Sequence, residues 1–224
     1  MEKVVIFGIS NFSALMRRYL NKYSKSEIVG YTVDKKYIDT PYFDGLTVYP
    51  FEDIEQVFSP DEHRILLTIG YNNMNDTREM IYHACKAKGY TFINFIHPTA
   101  IIDCDEMGDA NILLENVILA PGSKIGSGNI CFGNVHIAHG AQLGNYNFLS
   151  CNVLLGGEAI VSDHCFLGLG AIVGSARVLA PYTFLGMETS INNNTKPNEV
   201  YVKERAVKLD KDSKQMMKYL GRLS

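Results

Sequence analysis

Two histidines and a glycine raise the chemical question. The run Val135-His136-Ile137-Ala138-His139-Gly140 holds His136 and His139, and Gly157 follows His139 by eighteen residues. A neutral imidazole accepts a proton from an attacking amine or hydroxyl near neutral pH. A backbone N–H beside it can donate to the oxyanion that develops on a carbonyl. Glycine at that N–H also lets a thioester approach the main chain closely. Base and oxyanion donor together suit acyl transfer from a thioester. Ser175 repeats the spacing of eighteen once more. A lone surface histidine usually has no such role, so the element carrying it decides the matter.

That element is a repeat. Stepping by six from Ile101 through Met107, Leu113, Leu119 and Ile125 to Ile191 meets sixteen positions, all apolar. The residue after each is often small, as at Gly108, Gly126, Gly144, Gly156 and Gly168. A period of six is a short strand plus a tight corner, and three units close a triangular coil of eighteen residues. The sequence therefore predicts a left-handed parallel β-helix over 101–191. In its frame Ile137 points inward and His136 outward from a flat face. His139 occupies a corner, with Gly157 and Ser175 at the same corner on the next two coils. Asn111, Asn129 and Asn147 also recur at eighteen and are expected to form an inward ladder. Arg177 falls at an inward position, so the last coils are expected to shift or open there. His139 and His164 fall on different corners, so these histidines should not converge on a metal, and none is expected.

Residues 1–96 read differently. Val4-Val5-Ile6-Phe7 is a buried strand, followed by the turn Gly8-Ile9-Ser10-Asn11. A helix over 13–23 places Leu15, Met16, Tyr19 and Leu20 on one face. Strands follow at 28–33, 65–69 and 92–94. A helix over 76–88 turns Met80, Ile81, Ala84 and Cys85 inward. Alternating strands and helices predict a doubly wound parallel sheet. The fold class expected is thus an α/β, Rossmann-like N-terminal domain (1–96), then an all-β left-handed parallel β-helix (97–195) and a tail (196–224). The tail's last segment, 212–223, reads as a short amphipathic helix. Ligands of doubly wound sheets sit at the carboxyl ends of the strands. Those ends carry Gly8, Ser10, Asp34, Gly70 and Asn72. No G-x-G-x-x-G is present, which favours a single nucleotide or nucleotide-sugar over a dinucleotide. Gly8 and Ser10 can meet a phosphate at a helix N-terminus, and Asp34 a ribose or base. The other reading is a packing domain with an ordinary glycine turn.

Composition limits the partners. The 224 residues carry a net charge of −3, with no basic excess to attract nucleic acid or anionic membrane. No apolar stretch is long enough to cross a bilayer. Five cysteines without a C-x-x-C pair suggest buried free thiols and a reduced, cytoplasmic setting.

The chain resembles the bacterial nucleotide-amino-sugar N-acetyltransferases and the related sialic-acid O-acetyltransferase-like proteins, which are hexapeptide-repeat acyltransferases. The likeness lies in V-V-I-F-G-I-S, V-G-Y-T-V-D, L-L-T-I-G-Y-N-N and the junction F-I-N-F-I-H-P-T-A leading into the repeat. It implies a homotrimer with sites between neighbouring β-helices, and acetyl-CoA lying along the coil. It implies an N-terminal domain that binds a UDP-, dTDP- or GDP-linked amino sugar. His139 matches the family's base and Gly157 its oxyanion donor. His136 is expected near the substrate, and Gly157 and Ser175 beside the cofactor. The chain departs from the pattern in four places. His139 has Ala138 and Gly140 as neighbours in place of an acidic residue. Phe148 replaces a second histidine. The first turn is poor in glycine. Lys203 and Arg205 replace Gly and Pro in the V-Y-V-K-E-R-A tail, where they would reach the phosphates of CoA or stay solvated. The expected activity is acetyl transfer to a sugar amine for surface-glycan synthesis. Transfer to a sugar hydroxyl, or nucleotide-sugar binding without turnover, are the alternatives.

Overall fold

The computed structural model describes residues 1–208, 210 and 212–220. The first strand, Lys3–Phe7 (β1), buries Val4, Val5, Ile6 and Phe7, as a central strand covered on both faces should. Ser10 then caps a helix, Asn11–Tyr23 (α1), that buries Met16 and Leu20, while Leu15 stays 36% exposed. Glu27–Val33 (β2) follows. Two strands, Tyr42–Phe43 (β3) and Leu46–Pro50 (β4), form an antiparallel hairpin across Asp44-Gly45. Both turn residues have positive φ, the conformation a two-residue hairpin needs. This hairpin was not expected, although Asp-Gly between short apolar runs was its signal.

His63–Leu67 (β5), a helix Asp76–Ala87 (α2) and Thr91–Phe92 (β6) complete the N-terminal unit. The sheet order is β3-β4-β2-β1-β5-β6, parallel except at the hairpin. On α2 the buried stripe is Arg78, Ile81 and Cys85. Met80, expected inward, is 59% exposed because Arg78 holds the inward turn.

From Phe95 onward the chain coils. Two-residue rungs build three parallel sheets, and these fit a left-handed parallel β-helix. The first face runs from Phe95–Ile96 to Val200–Tyr201, the second from Ile101–Ile102 to Ser190–Ile191, the third from Glu106–Met107 to Val178–Leu179. Leu113, Leu119, Leu149, Leu155 and Leu167 are wholly buried along the axis. The pairing of Leu119 with Ile137, and of Ile137 with Leu155, keeps the period of eighteen.

The frame departs from strict periodicity at both ends. Leu119 pairs with Ile102, at seventeen, so Ile102 takes the inner place and Ile101 is 59% exposed. The expectation that Ile101 points inward is corrected: the corner from Ile102 to Met107 is one residue shorter than that from Leu119 to Ile125. At the other end Leu185 pairs with Tyr201, at sixteen. No shift occurs at Arg177. Its neighbours Val178 and Leu179 stay in register with Ile160 and Val161, and the half-buried Arg177 side chain lies against Gly174. A terminal helix, Ser213–Leu220 (α3), covers most of the predicted segment; residues 221–223 lie outside the described residues.

The asparagine ladder is present and longer than expected. The N–H groups of Asn129, Asn147 and Cys165 donate to the Oδ1 atoms of Asn111, Asn129 and Asn147 at 2.9, 2.9 and 2.7 Å. Asn94 starts the ladder one coil earlier by accepting from the N–H of Asn111 at 2.8 Å. Each rung satisfies an amide that no water reaches.

The first face packs on the N-terminal unit. Ile112, Ile130 and Phe148 share one core with β1 and β5. Arg78 locks the contact. Its guanidinium, fully buried, donates to the carbonyls of Gly128 (2.7 Å), Tyr146 (2.7 Å) and Asn147 (3.1 Å) on the β-helix. It also donates to Ile69 (3.2 Å) and Gly70 (2.7 Å) after β5. Desolvation pulls its pKa down to about 9, still well above neutral pH, so the side chain stays charged. Replacing it with Met removes the donors and leaves buried carbonyls unpaired. Arg78→Met is expected to cost about 2–4 kcal/mol. Urea unfolding followed by circular dichroism checks this, and an unchanged midpoint would contradict the role.

Candidate active site

His136–Ile137 is a rung of the second face and Gln142–Leu143 a rung of the third. His139 lies in the corner between them, exposed. The corner is held by the main chain. The Glu158 N–H donates to the His139 carbonyl at 3.0 Å, and the Ala176 N–H to that of Gly157 at 2.9 Å. His139, Gly157 and Ser175 therefore stack as the period requires.

The imidazole lies directly over Gly157. A Cβ built on that glycine would stand 2.7 Å from His139 Nε2 and 2.8 Å from Cε1, well inside van der Waals contact. The φ of Gly157 is not positive, so its missing side chain serves space and not backbone conformation. Its N–H donates to nothing among the described residues, whereas the equivalent amides of Asp109, Ser127 and Asn145 on another corner donate to side chains of the next coil. What singles out this corner is an open amide and an imidazole side by side.

No hydrogen bond or ion pair to the His139 ring occurs among the described residues. The nearby acidic residue Glu158 flanks the corner without pairing with the ring. It comes from the next coil at φ +60°, and its Cγ is 3.3 Å from where a Gly140 Cβ would be. Its signal was the spacing of eighteen from Gly140. Ser175 brings its amide and hydroxyl beneath Gly156. His136 is half-buried on the flat face between Ile118 and Leu154, off the corner.

The other expected residues gather at the carboxyl end of the six-stranded sheet. Gly8 has φ +128°, and a Cβ there would meet the hydroxyls of Thr68 at 2.6 Å and Ser13 at 2.9 Å, so glycine is required for packing. The Ser10 hydroxyl accepts the Ser13 N–H at 3.3 Å in a capping box, which already satisfies part of the α1 N-terminus. Asp34 is half-buried, with its carboxylate 3.6 Å from Lys36 Nζ. It borders a cleft of about 90 Å³ lined by Phe7, Val33, Tyr37, Ile69, Met80 and Ile81. The Gly70 carbonyl is bound by Arg78, and Asn72 is exposed. Between them Tyr71 packs edge-on against Phe148 and Phe166, with ring centroids 4.8 and 5.1 Å away. Lys203 pairs with Glu188 at 2.9 Å, so its charge is already engaged, whereas Arg205 is exposed with no partner among the described residues.

These two groups of residues lie apart. The N-terminal unit sits on the first face, and the His139 corner joins the other two faces, opposite it. No hydrogen bond, ion pair or ring contact among the described residues links His139 or Gly157 to Gly8, Ser10, Asp34, Gly70 or Asn72. The expected buried thiols hold for Cys85, Cys131 and Cys165, while Cys104 and Cys151 are half-buried; none is bonded to another.

Fold and corner together define a two-part chain: a mostly parallel sheet with helices docked on a β-helix. No protein-family model and no curated protein sequence matches it. Solved structures do. The acetyltransferase domain of PglB from Neisseria gonorrhoeae matches with a TM-score of 0.77 at 18% identity, covering 91% of this chain and 97% of that one. PerB from Caulobacter crescentus, in complex with CoA and GDP-perosamine, matches with 0.70 at 18% identity, covering 91% and 95%. WeeI from Acinetobacter baumannii matches with 0.57 at 15% identity, covering 91% and 97%. At these identities the likeness establishes a shared fold across both parts of the chain. No described helix is long and apolar enough to cross a membrane.

The contact between Gly157 and His139 is testable alone. Gly157→Ala adds one methyl at an allowed backbone conformation. It is expected to displace the imidazole while lowering the melting temperature by only a few degrees, on the order of 1 kcal/mol. The ring C–H signals of His139 in a heteronuclear NMR spectrum should move, and unmoved signals would contradict the stacking.

Proposed function

We propose that the protein is an acetyl-CoA-dependent N-acetyltransferase acting on the amine of a nucleotide-linked amino-deoxy sugar. The observation that carries this is the His139 imidazole lying over the open Gly157 amide. His139 takes a proton from the amine as its nitrogen attacks the thioester carbonyl. The oxyanion that forms points at the Gly157 N–H. The new C–N bond is completed as the C–S bond breaks, and CoA leaves as a thiolate that takes up the proton. The chain's part is to hold proton acceptor and oxyanion donor about one rung apart before substrate arrives. PglB's acetyltransferase domain has been solved with acetyl coenzyme A, and PerB with CoA and a GDP-linked amino sugar. Those partners fit the equipment of this corner.

In this reading residues 1–96 form a Rossmann-like domain that receives the nucleotide. Residues 97–195 are the acyltransfer domain and 196–224 a tail. The chain order reverses between β1 and β5, and ligands of such sheets sit at that switch. Gly8, Ser10, Asp34, Gly70 and Asn72 all border it. Ser175 and Arg205 would lie along the CoA, and His136 near the sugar.

The placement of the N-terminal unit opposite the His139 corner supports a homotrimer. A nucleotide held by one chain is then presented to the corner of the next. Leu154, Ile160, Ile172 and Val178 flank that corner on the second and third faces, each 36–40% exposed, and a neighbouring coil would cover them. Acetyl-CoA as donor supports a cytoplasmic setting for the reaction.

Thiol release from acetyl-CoA, with a panel of UDP-, dTDP- and GDP-linked amino sugars, tests the activity. One sugar should give fast release, and His139→Ala should lower kcat by about 10²–10⁴ with the melting temperature unchanged. Release carried instead by a sugar hydroxyl would redirect the reading to O-acetylation. Binding without release in wild type would make the chain a nucleotide-sugar binder. Light scattering tests the assembly: wild type should have three times the chain mass, and Leu154→Glu with Ile172→Glu should reduce it to the single chain.

A further inference from the structure

A second cluster lies on another corner, between the third and first faces, where α2 crosses the coil. Tyr146, His164 and Tyr182 stack there one coil apart, each at positive φ. The rings of His164 and Tyr182 are parallel to within 7° with centroids 4.7 Å apart. His164 is 5% exposed, and its Nδ1 has no hydrogen-bond partner. Two carboxylates from the first turn of α2 stand against this ring. Asp76 Oδ1 is 3.4 Å from Nδ1, and Glu79 Oε2 is 3.3 Å from Nε2. Neither contact has the angle of a hydrogen bond. One donor atom from each of the three residues falls within 4.8 Å of the others.

We propose that Asp76, Glu79 and His164 bind one divalent cation of the zinc type, which ties α2 to the β-helix. Two ligands each about 2.05 Å from a tetrahedral ion stand about 3.4 Å apart and do not point at one another. That is the relation of Nδ1 to Asp76. A proton shared between the two would call for a straighter N–H···O line. The remaining donors are oriented as supports. The Tyr182 hydroxyl donates to Asp76 Oδ1 at 2.9 Å, and His83 Nε2 lies 3.7 Å from Glu79 Oε1. Such outer partners fix the ligands of metal sites. Asp76 and Glu79 are partly exposed, so water has access to a fourth position. The same turn of α2 already docks through Asn75, whose Nδ2 donates to the Cys165 carbonyl at 3.3 Å, and through Arg78. The cation would join positions more than eighty residues apart in sequence. This site is independent of the acyl-transfer reading, because its residues lie on a different corner from His139.

The test uses the full chain, stripped with chelator at pH 7.5 and titrated with Zn²⁺ and Co²⁺. One ion per chain is expected, with the melting temperature up by about 5 °C at a hundredfold excess over Kd. Bound Co²⁺ should show visible d–d bands without thiolate charge-transfer absorption. His164→Asn, in which the new side chain tolerates positive φ, and Asp76→Asn with Glu79→Gln should each abolish both signals. Thiolate bands, or binding unchanged in these variants, would assign the ion to cysteines and overturn the proposal. Failure of wild type to bind would overturn it as well, as would stabilisation that appears only on acidification, which marks an imidazolium bridge.

Discussion

The relation between the two halves of this chain depends on a buried cation that has no anion beside it among the described residues. Arg78 leaves α2 and spends its donors on main-chain carbonyls from two coils of the β-helix and from the segment after β5. A guanidinium out of water is costly unless every donor is matched in direction as well as number. Carbonyls at β-helix corners provide that match because the coil fixes where they point. The match works only when the coil and the sheet stand in one arrangement. The loop between β5 and α2 accommodates it with three successive residues, Asn73, Met74 and Asn75, at positive φ. That strain sits where the two halves meet, held by the contacts of Tyr71, Asn75 and Arg78.

The same constraint shapes the corner proposed for acyl transfer. Because the N-terminal unit covers the first face, it leaves the opposite corner exposed. The period of eighteen then sets His139 above Gly157 with no side chain between them. A regular scaffold makes such pairs at each corner, and residue type decides which one is equipped for chemistry. At the equivalent positions the other two corners carry Asp109, Ser127, Asn145 and Asp163, or Glu115, Gly133, Cys151 and Leu169, and here one coil carries an imidazole and the next carries nothing. The asparagine ladder keeps these coils at a fixed rise, since each side chain completes the hydrogen bonding of the coil after it.

Much of this was legible in the residues, and the limits have physical causes. The step of six is strong because the inward position tolerates only apolar groups, and it found the β-helix, the ladder and the neighbours His139 and Gly157. It missed the slip at Ile101 and Ile102, because both are isoleucine and hydrophobicity alone cannot choose between them. It overestimated the disturbance at Arg177, whose long stem packs beside Gly174 without breaking the register. The helix pattern misplaced Met80, since a reading by polarity assigns the inward face to methionine and the outward face to arginine. Arg78 reverses that order only because acceptors fifty to sixty-nine residues away receive it. Glu158 near the His139 corner and Asp76 near His164 are equally invisible to local reading, since each meets its neighbour through the fold. For Ser10, residue type alone could not separate an open anion site from a helix cap that serves itself.

The reach of Arg78 also bears on the order in which the chain can complete itself. The N-terminal sheet is made first and holds its own buried strands. Rungs of the coil pair with segments only sixteen to eighteen residues away, so the β-helix can grow locally, one turn upon the last. The acceptors of Arg78, however, include Tyr146 and Asn147. During synthesis this arginine therefore lacks its full set of acceptors until three turns of coil have been laid down. Docking is completed late for a residue made early, and a nascent chain stalled before Tyr146 would carry a finished sheet with its main anchor short of two acceptors.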